Sequence, residues 1–161
     1  MKKLRILLPI LALLLGCVLL YTRPMTLSRL CDGVELSRVQ SITVSYEIYP
    51  DNEFVQFDID REDPRFALLM EQLAAQPFRR SVLNIFPPTA KTHSLHDGDY
   101  KWELSLQFSD VTLRSGETVS GALIHISDFY GKPEIRFVGK TVKCSAAGES
   151  VRRAAITEII Q

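Results

Sequence analysis

The stretch "ILLPILALLLGCVLLY", residues 6–21, restricts this chain more than any other. It carries no charge and is apolar apart from Gly16. Lys2, Lys3 and Arg5 precede it, Arg23 and Pro24 follow, and no acidic residue occurs before Asp32. A segment with no polar face cannot sit on the surface of a water-soluble domain, so it belongs in a core or in a membrane. Sixteen helical residues cover about 24 Å, short of the roughly 30 Å hydrocarbon layer. The long aliphatic stems of Lys3, Arg5 and Arg23 can close that gap by reaching toward the headgroups. Basic residues at the N-terminal side predict that this end stays cytoplasmic and the rest of the chain faces outward.

Three fates compete for the segment. Ordinary signal-peptide cleavage needs small residues at the −3 and −1 positions, and no site after the run offers the pair. Leu14-Leu15-Gly16-Cys17 has the form of a bacterial lipobox, which makes Cys17 a candidate for lipidation. However, Val18, Leu19, Leu20 and Tyr21 follow, where a lipidated cysteine is normally succeeded by a polar tether. An uncleaved single-pass anchor is therefore preferred, with lipid anchoring at Cys17 as the alternative. The expected organisation is a membrane anchor or lipoprotein signal over 1–24 and one extracytoplasmic domain over 25–161. The membrane is the partner of residues 1–21.

"YTRPMTLSRLCDGVELSRVQSI" follows with almost no linker. Thr26 or Ser28 can cap a short helix over Leu27, Leu30 and Cys31 that ends at Gly33. The segment from Tyr21 to Ile42, through its "YTRPMTL", "LC" and "LS" elements, resembles the opening of a group of small membrane-anchored proteins of Gram-positive gut bacteria. The resemblance implies placement at a membrane and a strand directly after the opening; no activity comes with it.

Beyond residue 21, sixteen basic residues stand against nineteen acidic ones, a net charge of about −3. A nucleic-acid binder needs a basic face to neutralise phosphates, so that class is excluded. The remaining 140 residues are enough to bury a core without metal or disulfide staples.

Hydropathy then alternates. In "SITVSYEIY" Ile42, Val44, Tyr46 and Ile48 share one face, and in "FVQFDID" Val55, Phe57 and Ile59 do. This is the period of half-buried strands, and the "PDNE" between them reads as a hairpin turn. The period changes in "EDPRFALLMEQLAAQPF". Asp63 as cap and Pro64 at the first position open a helix over about 64–76 with a Phe66, Leu69, Met70, Leu73 stripe, and Pro77 closes it. "RRSVLNIFPP" suggests a strand stopped by prolines. "YKWELSLQF" is the clearest strand, with Tyr100, Trp102, Leu104, Leu106 and Phe108 on one side. Shorter strands are predicted at 111–114, 121–127 and 134–143, then a helix over about 145–160 that buries Val151, Ala155 and Ile159. The fold class is α+β: one antiparallel sheet of five to seven strands with the two main helices on one face. Its other face is polar.

Motifs for chemistry are sparse. His93, His96, Asp97 and Asp99 form H-x-x-H-D-x-D, whose imidazoles and carboxylates suit a transition metal. Yet Asp97-Gly98 is an ordinary turn dipeptide, and the composition of 89–99 is that of a solvated loop. Asp58, Asp60, Glu62 and Asp63 lack the glycine and terminal glutamate of a calcium loop. Gly139-Lys140-Thr141 lacks the first glycine of a phosphate loop, because Glu134 stands in its place. No nucleophile-elbow or S-x-x-K pattern occurs. Cys31 and Cys144 make an even pair in a compartment where a disulfide can persist, and each is flanked by apolar positions that also suit a buried thiol. No cofactor is implied. The reading is a membrane-tethered, non-catalytic binding module outside the cell membrane, whose ligand is a protein, a peptide or an envelope component. The alternative is a small cell-envelope enzyme, hydrolase-like, whose site forms only in three dimensions.

Overall fold

The computed structural model describes residues 2–48, 53–82, 100–129 and 132–146. The chain opens with helix α1 (Lys2–Tyr21). Among the described residues no helix is long and apolar enough to cross a membrane. A two-residue strand β1 (Pro24–Met25) follows, and then the short helix α2 (Leu27–Leu30). Thr26 caps α2 by accepting from Arg29 N at 3.4 Å. The helix stops where Asp32 and Gly33 both take positive φ, and Gly33 N closes the turn onto Ser28 O at 2.8 Å. A side chain at Gly33 would also place its Cβ 2.9 Å from Arg114 Nε, so only glycine fits without displacing that arginine.

The alternating runs become strands β2 (Val39–Ile48) and β3 (Glu53–Asp60), paired antiparallel from Ser41↔Asp60 to Ile48↔Glu53. Helix α3 (Pro64–Ala75) comes next, capped by Asp63 and terminated at Gln76 before Pro77. Leu69 and Leu73 are buried, with Phe66 and Met70 packed against the same core. The cap is doubled by Arg65, whose backbone N–H lies 2.8 Å from Asp63 Oδ1 and whose guanidinium forks onto both carboxylate oxygens at 2.6–3.0 Å. The side-chain hydrogen bonds from Arg65 hold the Asp63 carboxyl below its ordinary pKa.

Strand β4 (Phe78–Arg80) precedes β5 (Tyr100–Phe108). A two-stranded ribbon, β6 (Asp110–Thr112) with β7 (Thr118–Ser120), interrupts the main sheet. Strands β8 (Leu123–Phe129), β9 (Lys132–Phe137) and β10 (Lys140–Ala146) complete the described chain. Eight of these strands make one sheet in the order β1-β4-β10-β9-β8-β5-β2-β3, with every pairing antiparallel. The α+β class is therefore as expected, and the strand count is higher than the five to seven predicted from sequence. Two reasons account for the difference. β1 and β4 are two and three residues long, too short to show a period. The run predicted as one strand over 134–143 is a hairpin, because Val138 and Gly139 both adopt positive φ, the geometry of a type I′ turn.

Ser145 and Ala146, expected to open the last helix, belong to β10 instead. The remainder of that expected helix lies outside the described residues. The core gathers on one side of the sheet. Ile42, Val44, Ile59, Leu104, Leu106, Ile124 and Ile126 are fully buried there together with Leu27 of α2 and Leu69 of α3.

Candidate functional site

The strand register sets the polar face of the sheet into two rows that cross six neighbouring strands. One runs Asp58, Thr43, Ser105, His125, Arg136, Thr141; the next runs Gln56, Ser45, Glu103, Ser127, Glu134, Lys143. Every position in both rows is polar. The pattern follows directly from period-two alternation, because residues sharing a parity in paired strands share a face.

These side chains are tied to one another. Thr43 Oγ1 donates to Asp58 Oδ1 at 2.6 Å, and Ser41 Oγ donates to Gln107 Oε1 at 3.2 Å. Arg136 donates to Glu134 Oε1 through Nε and a terminal nitrogen, at 2.9 and 2.8 Å. At the centre, Ser105 Oγ lies 3.0 Å from His125 Nδ1, and His125 Nε2 lies 3.8 Å from Glu103 Oε2. Ser127 is fully buried between the two glutamates, and its hydroxyl has no hydrogen-bond partner.

A hydroxyl, an imidazole and a carboxylate in sequence are the ingredients of an activated nucleophile. An acyl-transfer site also needs donors aimed at a developing oxyanion and a cleft to hold substrate. Ser105 lies in β5 between β2 and β8, so the backbone N–H groups around it serve the sheet ladders. The described hollow on this face, lined by Ser45, Tyr46, Glu47, Phe54 and Glu103, measures about 20 Å³, room for a single water. A larger hollow of about 160 Å³ lies where the end of α2 meets the ribbon, between Gly33, Glu35, Arg38 and Thr112. It too is below the several hundred Å³ of ordinary small-molecule sites.

Of the residues singled out from sequence, the fold brings Cys31 and Cys144 into one core cluster. His93, His96, Asp97 and Asp99 lie outside the described residues, and among those described no three His, Cys, Asp or Glu side chains are grouped to hold a metal. Of the acidic cluster, Asp58 accepts from Thr43 and Asp63 caps α3. Gly139-Lys140-Thr141 turns a hairpin. Cys17 is exposed on α1. Cys31 and Cys144 are buried free thiols in one core cluster. Burial pushes both thiols up to about 12, with a further rise at Cys31 from the neighbouring Cys144 and a partly compensating pull on Cys144 from Arg80. Such thiols are poor nucleophiles near neutral pH.

What the sequence did not disclose is the Ser105–His125–Glu103 contact. The alternation places all three on one face, but only the pairing of β5 with β8 makes Ser105 and His125 direct neighbours. No protein family, curated protein or solved structure matches this chain.

Proposed function

We propose that this chain is a membrane-tethered, extracytoplasmic binding module that presents the polar face of its sheet to an envelope ligand, without catalysing a reaction. One observation carries the membrane part. On α1, Leu7, Leu8, Ile10, Leu11, Leu13, Leu14, Leu15, Val18, Leu19 and Leu20 are all exposed, from 41 to 69 %. They lie on every side of the helix. Covering them is worth on the order of 10 kcal/mol, taking about half of the ~2 kcal/mol for full burial of each large aliphatic side chain. A bilayer is the solvent that covers a helix on all sides. Lys2, Lys3 and Arg5 at one end and Arg23 at the other extend its reach by snorkelling, with the N-terminus cytoplasmic and the domain outside. Lipidation at Cys17 is the alternative tether, and it requires removal of residues 1–16.

The binding part rests on the two polar rows. A hydrogen-bonded face that carries both carboxylates and cations and no deep hollow among the described residues suits a protein, peptide or envelope polymer better than a small molecule that needs enclosure. The test places a photo-crosslinking residue at exposed positions of the full chain in its own membrane: Gln56 or Thr141 on the polar face, Leu68 or Glu71 on α3. Crosslinked products confined to the first pair support the reading; products from the second pair alone overturn it. Intact mass distinguishes the anchor from a diacylated Cys17.

The Ser105–His125 contact favours one second reading, a small envelope hydrolase with Ser105 as nucleophile. Labelling by a serine-reactive fluorophosphonate that disappears in Ser105→Ala would establish it.

A further inference from the structure

The place where α1 meets the domain carries three arginines. Arg23 is exposed one residue before β1, whose Pro24 pairs with exposed Arg79 of β4. The next residue, Arg80, lays its guanidinium over the Tyr21 ring, 5.6 Å from the centroid. Arg80 Nε is buried and has no hydrogen-bond partner. Among the described residues none of the three is ion-paired with a carboxylate. A planar guanidinium fork fits phosphate in particular.

Strand alternation puts Arg79 and Arg80 on opposite sides of β4. One small anion cannot serve both sides, whereas a plane of headgroups beneath the strand edge can. α1, with its exposed aliphatic side chains, leads to this same edge. Tyr21 is the amphipathic ring that membrane interfaces favour. We propose that Arg23, Arg79 and Arg80 dock this edge of the sheet on the anionic phosphate headgroups of the bilayer, and so fix how the domain stands over the membrane. The inference rests on the reading of α1 as the membrane tether.

The test uses the full chain in nanodiscs of phosphatidylcholine mixed equally with phosphatidylglycerol, followed by mild detergent extraction and mass measurement of the retained lipid. An exposed basic residue near an anionic surface favours that lipid about fivefold. Retained phosphatidylglycerol should therefore fall several-fold in Arg23→Gln/Arg79→Gln and hold in Arg23→Lys/Arg79→Lys. Both residues are exposed, so these variants keep the fold, and the basic N-terminus is the same in each. Equal retention by wild type and the Gln pair overturns the proposal. So does loss of enrichment in inorganic phosphate but not in chloride of equal ionic strength, because that outcome marks a site for the free ion. Release of the chain from membranes by alkaline carbonate is a separate result. It overturns the membrane reading itself, whatever the lipid retention.

Discussion

Two faces of one sheet are built from the same strands and held in different ways. On one, the rows Ile59, Ile42, Leu106, Ile124, Phe137 and Phe57, Val44, Leu104, Ile126, Ile135, Val142 are apolar throughout. On the other, the rows through His125 and Ser127 are polar throughout. The first face gains from removal of apolar surface from water, a non-directional term that tolerates no gap. The second is joined by individual hydrogen bonds and ion pairs, each of which contributes modestly when water can replace it. The difference teaches where sequence change is cheap. A side chain on the polar face can be altered for binding without unfolding the domain, and its neighbour on the same strand cannot.

Adjacent residues of β5 give the sharpest way to break that contrast. Leu104→Ala opens a cavity beneath a fully buried position and should cost about 2–5 kcal/mol in denaturant unfolding. Ser105→Ala removes one hydrogen bond to His125 and should cost about 1 kcal/mol. Equal losses would mean that the polar face is as tightly interlocked as the core.

The cysteines sharpen the contrast from the core side. Under native conditions near pH 8, alkylation of the reduced chain should leave Cys31 and Cys144 unmodified, since burial pushes both thiols up to about 12. Denatured without reductant, all three should react, as the free thiols of the structure require; a chain that labels only Cys17 would carry a Cys31–Cys144 bridge instead. The raised values also set a sign. Between the ordinary thiol range near 9 and about 12 the folded protein keeps protons that the unfolded chain has lost, so stability is full below that window and falls as pH rises through it. Thermal melts across the range measure this.

A smaller effect is expected at the helix cap. Asp63→Ala removes the acceptor of Arg65 N and the guanidinium fork, and should lower the melting temperature by a few degrees. Because the Asp63 pKa is lowered in the folded state, the stabilisation is complete above the ordinary carboxylate range. It disappears as pH falls through the depressed value, and the variant should lack this acid-dependent step.

Smallest of all should be His125→Gln, expected within about 1 kcal/mol, because the ring is partly exposed and makes one hydrogen bond at 3.0 Å. A large loss there would move His125 from the polar face's account to the core's.

Local sequence determined a good part of this protein. The helix over residues 64–75 was legible because its start signal at Asp63 and Pro64 and its Leu69–Leu73 spacing all lie within the segment itself. The inward faces of β2, β3 and β5 were legible because a two-residue period survives in any register that buries it. The apolar, charge-bracketed character of residues 6–21 needs no partner to be recognised. Other features depended on pairings between distant segments. Neither β1 nor β4 has a pattern of its own; each exists because Met25 lies against Phe78 and Phe78 against Ala146. Val138 is no turn former, and it turns because β9 and β10 pair on either side of it. The candidate site is of the same kind. Ser105, His125 and Glu103 were visible as polar alternates, and Arg79 and Arg80 as two charges before a serine, but which of them meet was decided by strand order. Strand order is a balance of non-local contacts and chain closure that no short window of residues contains.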